Sequence, residues 1–118
     1  MDTAGLTVST TDVGNVAEQA VAEELARQGF TVLQRNWRTK YCEVDIIARK
    51  DDVIWFIEVK YRQNEKFGDG LAYIGPGKLM HMQRAASLWT AQRRYHGEYT
   101  LGAVAVTGNY RIGELVEI

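Results

Sequence analysis

Apolar residues recur along this chain with two different periods, and the switches between them mark its elements. From Asp12 to Gln28, Val13, Val16, Ala17, Ala20, Val21 and Leu25 return at three- and four-residue steps, which predicts a helix over 12–28. Asp12 stands where an N-cap is wanted and Gly29 where a C-cap is wanted. Residues 30–35 read as a first strand, with Phe30, Val32 and Gln34 on one face, and polar, basic residues 36–41 connect it to the next. Residues 43–49 and 53–60 are rich in Val, Ile, Trp and Phe and flank Asp51-Asp52, so they predict a hairpin. A long connection over 61–77 carries Gly68, Gly70, Gly75, Pro76 and Gly77. A second helix is predicted over 78–95, with Leu79, Met82, Ala86, Trp89 and Arg93 as one stripe and Gly97 after its end. Residues 99–107 and 110–118 read as two further strands joined by a Gly108-Asn109 turn.

This order, α-β-β-β-α-β-β, predicts an α/β fold in which a mixed sheet has the first helix on one side and the second on the other. At 118 residues the chain is expected to form one domain over 12–118, after a flexible polar tail over 1–11. No apolar run approaches the roughly 20 residues of a membrane span. The tail has neither the basic start nor the apolar stretch of a secretory signal. With Cys42 as the only cysteine, no intrachain disulfide forms, and a cytoplasmic location is expected.

The net charge of −1 argues against a polyanionic partner until its distribution is considered. Residues 1–26 hold five acids and no Lys or Arg, whereas residues 27–94 hold 13 Lys and Arg against 7 Asp and Glu. The basic segment contains the two central strands, which suits a phosphate-bearing ligand.

Those strands also carry charge where a buried strand loses stability by carrying it. Asp45 interrupts the apolar run at 44–47, and Glu58 and Lys60 interrupt the run at 53–59. A two-residue turn at Asp51 and Asp52 sets Lys50 opposite Val53 and Asp45 opposite Glu58, with Cβ atoms about 5 Å apart. Period-two alternation then adds Glu43 and Lys60 to the same face. Adjacent carboxylates repel unless a cation or a shared proton relieves them, and Mg²⁺ or Mn²⁺ suits such oxygen donors. The ion would activate a water and offset charge on a scissile phosphate, toward which Lys60 would project. The Val59 carbonyl offers a further ligand, and Glu18, at the border of the first helix's stripe, reaches toward the site.

Plainer readings exist for each residue. Asp45 and Glu58 would serve equally as partners of Lys60, Arg38 or Arg62, and Glu18 and Lys60 as solvated side chains. Arg35, Arg38, Lys40, Arg62 and Lys66 form either a phosphate-binding rim or an ordinary charged surface. Lys78, at the start of the second helix, is a candidate phosphate contact. Trp37, Tyr61 and Tyr73 are candidates for base stacking, whereas Trp89 is expected in the core. His81 and His96 lack a ligand partner at useful spacing, and Cys42 lacks the neighbours of a nucleophile.

Asn36-Trp37-Arg38, Glu43-Val44-Asp45-Ile46-Ile47-Ala48 and Phe56-Ile57-Glu58-Val59-Lys60-Tyr61-Arg62, with the Ala17-Glu18 helix and Lys78, resemble the YraN-like family. That family, UPF0102, is grouped with Holliday-junction-resolvase-like endonucleases of the PD-(D/E)xK superfamily. The resemblance spans roughly residues 14–90 and implies a restriction-endonuclease-like core. It implies that Asp45 and Glu58 are metal ligands, that Lys60 is catalytic and that Glu18 is an auxiliary acid. Two departures stand out: Cys42 replaces a usual Gly, and Leu101-Gly102-Ala103-Val104 replaces an Arg-Phe-Asp-Val-like strand, so no third acid is expected there. The expected function is divalent-metal-dependent hydrolysis of DNA phosphodiester bonds, with branched DNA or repair intermediates as the implied substrates. Arg38, Arg62 and Lys78 are the expected substrate contacts, and cutting two strands of a junction would call for a homodimer. The rival from another class is a non-catalytic module that keeps the fold and binds nucleic acid or protein.

Overall fold

The structure, a computed structural model, describes residues 10–62 and 74–118. Readings that fall on the tail at 1–9, or on Lys66, Gly68, Gly70 and Tyr73, lie outside the described residues. Seven elements follow in the predicted order: α1 (Thr10–Arg27), β1 (Thr31–Arg38), β2 (Glu43–Lys50), β3 (Val53–Arg62), α2 (Pro76–Gln92), β4 (Glu98–Thr107) and β5 (Val116–Glu117). The strands form one sheet in the order β1-β2-β3-β4-β5. All neighbours are antiparallel except β3 and β4, which run parallel because α2 carries the chain back between them.

The two larger apolar clusters among the described residues lie on the two faces of the sheet. Ala17, Val21, Ala22 and Leu25 of α1 pack with Phe30, Ile46, Ala48, Ile57, Val104 and Val106. Met82, Ala85, Ala86 and Trp89 of α2 pack with Val44, Ile47, Ile54, Phe56 and Leu101. The chain is therefore an α/β protein with a mixed five-stranded sheet between two helices. Both central strands are covered on both sides, which explains their near-continuous apolar runs. No described helix is long and apolar enough to cross a membrane.

Local geometry explains the joints. Gly29 adopts φ 97° after α1. The Phe30 amide donates to the Leu25 carbonyl at 3.0 Å and the Gly29 amide to the Ala26 carbonyl at 3.1 Å. This is a Schellman closure, and Phe30 and Leu25 share one cluster beneath it. Asp51 and Asp52 both have positive φ, 52° and 66°, as a type I′ hairpin turn requires. That turn sets Lys50 opposite Val53, and the ladder runs in this register as far as Ile46 opposite Ile57.

Several sequence expectations need correction. α1 begins at Thr10, so Asp12 lies inside the first turn rather than before it. Val16 is exposed and Ala22 is buried in its stead, because α1 meets the sheet slightly to one side of the predicted stripe. α2 spans Pro76–Gln92 rather than 78–95. Its end is closed at Arg94, φ 51°, with the Tyr95 amide on the Thr90 carbonyl; Gly97 has no part in that closure. Leu79 is exposed at the first turn of α2, and Ala85 joins the buried stripe. β1 extends to Arg38, taking in residues expected in a connection. Its register shifts between Val32 and Gln34, so these two do not share a face: Val32 packs on the α1 side, whereas Gln34 accepts from Trp89 Nε1 of α2 at 2.7 Å. The strand expected over 110–118 shrinks to two residues plus a bridge between Val106 and Ile112. Tyr110 at φ 56° turns the backbone away, and the Thr107 and Gly113 amides bond across the resulting bend.

Candidate active site

The predicted carboxylates gather where the pleat of the sheet is interrupted. Ile46 packs on the α1 side and Ile47 on the α2 side, so alternation assigns Val44 to the α1 side. Val44 instead packs on the α2 side, beside Trp37 of the neighbouring strand. The step that breaks alternation contains Asp45, and across it on β1 stands Asn36 in the left-handed region, φ 52°. Asp45 and Glu58 are the next positions in register after Ile46 and Ile57, where the β2–β3 ladder stops. There the Val59 amide donates to Asp45 Oδ2 at 2.8 Å. The Asp45 carboxylate thus supplies the partner that a continuing ladder would have provided.

Three elements bring acids to this place. Asp45 lies in hydrogen-bonding range of both Glu18, from α1, and Glu58, from β3. Burial, reinforced by the Asp45 charge, pushes Glu58 up to about 7, while Lys78 draws it partly back. Glu18 is pushed up to about 7 by burial and by Asp45, against the pull of Arg35 and a hydrogen bond with Asn36. Glu18 Oε1 is buried without a hydrogen-bond partner.

The predicted cations are placed in different ways. Lys60 follows Glu58 on the same face of β3, with Ala105 beside it on β4 as Ala103 is beside Glu58. Lys78 reaches down from the first turn of α2, its Nζ 3.3 Å from Glu58 Oε1. Arg38 pairs at the surface with Glu43 at 3.1 Å. Glu43, about half exposed, is thus engaged by Arg38, and neither raised acid owes its shift to it. Arg62 ends β3 with its Nε buried and without a hydrogen-bond partner. Arg35 turns toward α1 and donates to Gln19 Oε1. Val59 contacts Asp45 through its amide.

Among the described residues no group of three or more His, Cys, Asp or Glu side chains forms a ready metal cage. The donors suit a divalent ion nonetheless. Mg²⁺ is held by one or two carboxylates with water filling the remaining positions, and Asp45 and Glu58 are such a pair. Two acids raised by burial and by the charge of Asp45, one with a bare oxygen, are an arrangement that a cation would relieve.

A cleft of about 520 Å³ adjoins this group, lined by Arg38, Thr39, Lys40, Tyr41, Cys42, Glu43, Lys78 and His81. Arg38 and Lys40 are the rim residues expected from sequence, His81 is expected at the surface, and Tyr41 is not among the expected contacts. The signal available for Tyr41 was its place in a short polar turn between two strands. Of the described base-stacking candidates, Trp37 packs in the α2-side cluster and Tyr61 leans on Tyr110 at 6.1 Å, while Trp89 lies in the core as expected.

A profile of the uncharacterised protein family UPF0102 matches residues 17–113. The chain belongs to the UPF0102 family. A UPF0102 protein of Neisseria gonorrhoeae (strain NCCP11945) is 39% identical over 97 residues, covering 81% of this chain and 84% of its own. One from Neisseria meningitidis serogroup B (strain ATCC BAA-335 / MC58) is 44% identical over 82 residues, 69% of this chain and 70% of its own. One from Mycolicibacterium vanbaalenii is 35% identical over 114 residues, 95% of this chain and 94% of its own. The matched segment of the UPF0102 profile includes Glu18, Asp45, Glu58, Lys60 and Lys78 and the whole of the sheet except β5.

Proposed function

We propose that this protein is a metal-dependent nuclease that hydrolyses phosphodiester bonds in DNA, with Mg²⁺ or Mn²⁺ as its cofactor. The observation that carries the reading is the convergence of Glu18, Asp45 and Glu58 from three elements on a break in the sheet. Charge of this kind in buried strands lowers stability and marks a functional site. The resemblance to PD-(D/E)xK endonucleases supports the same chemistry.

Asp45 and Glu58 would hold the metal, and the Val59 amide fixes the position of the Asp45 carboxylate. When bound, the ion would supply an activated water and offset the charge of the scissile phosphate. Lys60, on the face of Glu58, would donate to a phosphate oxygen as its charge grows. Glu18, poised near 7, would take a proton from water near neutral pH. Lys78 would leave Glu58 for the substrate phosphate once another cation neutralises that carboxylate.

The test is cleavage of single-stranded, duplex, flap and four-way-junction DNA with Mn²⁺, alongside Mn²⁺ titration calorimetry. Glu58→Ala or Lys60→Ala should abolish cleavage while the protein stays folded, read as a cooperative circular dichroism melt. The loss for Glu58→Ala should exceed the roughly 10–100-fold typical of removing an outer-shell partner. If the protein takes up no divalent ion and cuts none of these substrates, the nuclease reading is wrong and a non-catalytic binding module replaces it.

A further inference from the structure

The cleft beside the carboxylates has a chemistry of its own. Arg38, Lys40, Lys78 and His81 bring basic groups to it, and Glu43 is the acid among its lining residues, already neutralised by Arg38. Its wall is the turn between β1 and β2, which three hydrogen bonds close. The Thr39 amide donates to the Cys42 carbonyl at 2.8 Å, and Thr39 Oγ1 accepts from the Tyr41 and Cys42 amides at 3.1 and 3.0 Å. The turn holds the Tyr41 ring out in solvent, 77% exposed, more than any other described large apolar side chain. Lys40 Nζ sits 5.6 Å from the centre of that ring. At the inner end of the cleft, Lys78 is the residue that also touches Glu58.

We infer that this cleft binds single-stranded nucleic acid and feeds it to the carboxylate site, with Tyr41 as the platform on which an unpaired base stacks. An exposed aromatic ring flanked by cations recognises a base face that duplex pairing conceals. The small number of cations points the same way. Tight duplex binding draws on many phosphate contacts, and this face offers three permanent charges, two of them shared with carboxylates. Lys40 and Arg38 hold the backbone at the outer end, and Lys78 delivers a phosphate next to Glu58. The inference rests on the nuclease reading of that site and adds the state of the strand it accepts.

The experiment is fluorescence anisotropy in EDTA with labelled oligothymidylate, oligouridylate and a blunt duplex of equal length. Omitting metal prevents cleavage and separates this question from catalysis. Either single strand should bind more tightly than the duplex, and the better of the two names the preferred sugar. Tyr41→Ala should weaken single-strand binding roughly ten-fold or more and leave duplex binding unchanged. Lys40→Ala should weaken every probe and flatten the slope of log K against log salt by about 0.7 for the single strands and about 0.9 for the duplex, as the removal of a single Lys–phosphate pairing requires. Both side chains are at the surface, so unchanged melting curves will confirm that the variants fold. Tighter duplex binding, an unaffected Tyr41→Ala variant or no binding of any probe overturns the inference and leaves the metal site untouched. Failure to bind Mn²⁺ overturns the nuclease reading while single-strand binding in EDTA persists.

Discussion

Lys78 and Asp45 compete for influence over one residue, Glu58. Asp45 drives protons onto it and Lys78 drives them off. Lys78 also occupies the oxygen that a metal would use, 3.3 Å away. Lys78→Ala should therefore act in opposite directions at two pH values. Above pH 8 the variant should bind Mn²⁺ more tightly than the parent, because a competing cation has gone. Below pH 7 that advantage should shrink or reverse, because Glu58 now holds its proton more firmly. Calorimetric titration at both pH values checks this, and an identical ratio of affinities at the two would refute it. Asp45 and Glu58 were legible as candidates from sequence because charge inside an apolar run is rare. Lys78 was legible only as a phosphate contact, since its partner lies on another element 20 positions away in the chain.

At the scale of elements, turns and caps decide where strands meet. The Asp51-Asp52 turn fixes the β2–β3 register, and sequence reading recovered it because strand period and turn length leave little choice. The pleat break at Asp45 and Asn36 was invisible, since neither residue type demands it; packing on two faces imposes it. A close approach between elements occurs at Gly102 of β4. A Cβ there would lie 2.9 Å from Trp55 Cε3 and 3.0 Å from Leu115 Cδ1. The Trp55 ring is itself braced edge-on against Phe30, at 6.0 Å between centroids, so it has little room to yield. Gly102→Ala should therefore destabilise the protein by about 1–3 kcal/mol, read as a lower urea midpoint with an unchanged m-value. Stability equal to the parent would show that Leu115 and Trp55 move aside.

Over the whole molecule, the clustered acids Glu18 and Glu58 oppose the fold that holds them. Glu18 and Glu58 retain protons up to about pH 7 in the native state, whereas the unfolded chain releases them near 4.5. Between those values the native state binds more protons, so this contribution to stability declines as pH rises through the window and levels off above it. Asp45→Asn removes the charge while keeping an oxygen for the Val59 amide. The variant should be more stable than the parent in EDTA at pH 8, and the difference should narrow at pH 5. Urea unfolding at the two pH values measures this; a less stable variant at pH 8 would show that Asp45 is a structural partner rather than a strained functional acid. Saturating Mn²⁺ should reverse the order, since the ion stabilises the native state only where it binds.

Hydrophobic period, turn composition and charge inside apolar runs were sufficient to read the element order, the hairpin register and the pair Asp45 and Glu58 from the sequence alone. These are local properties, set within a few residues of chain, so a linear reading reaches them. The partnership of Lys78 with Glu58, the contact of Glu18 with Asp45, the pairing of Glu43 with Arg38 and the exposure of Tyr41 were decided only by the tertiary structure. Each depends on which face of the sheet a helix covers and where the pleat breaks. That outcome is settled by packing two helices against one sheet, where distant residues come within bonding distance of one another.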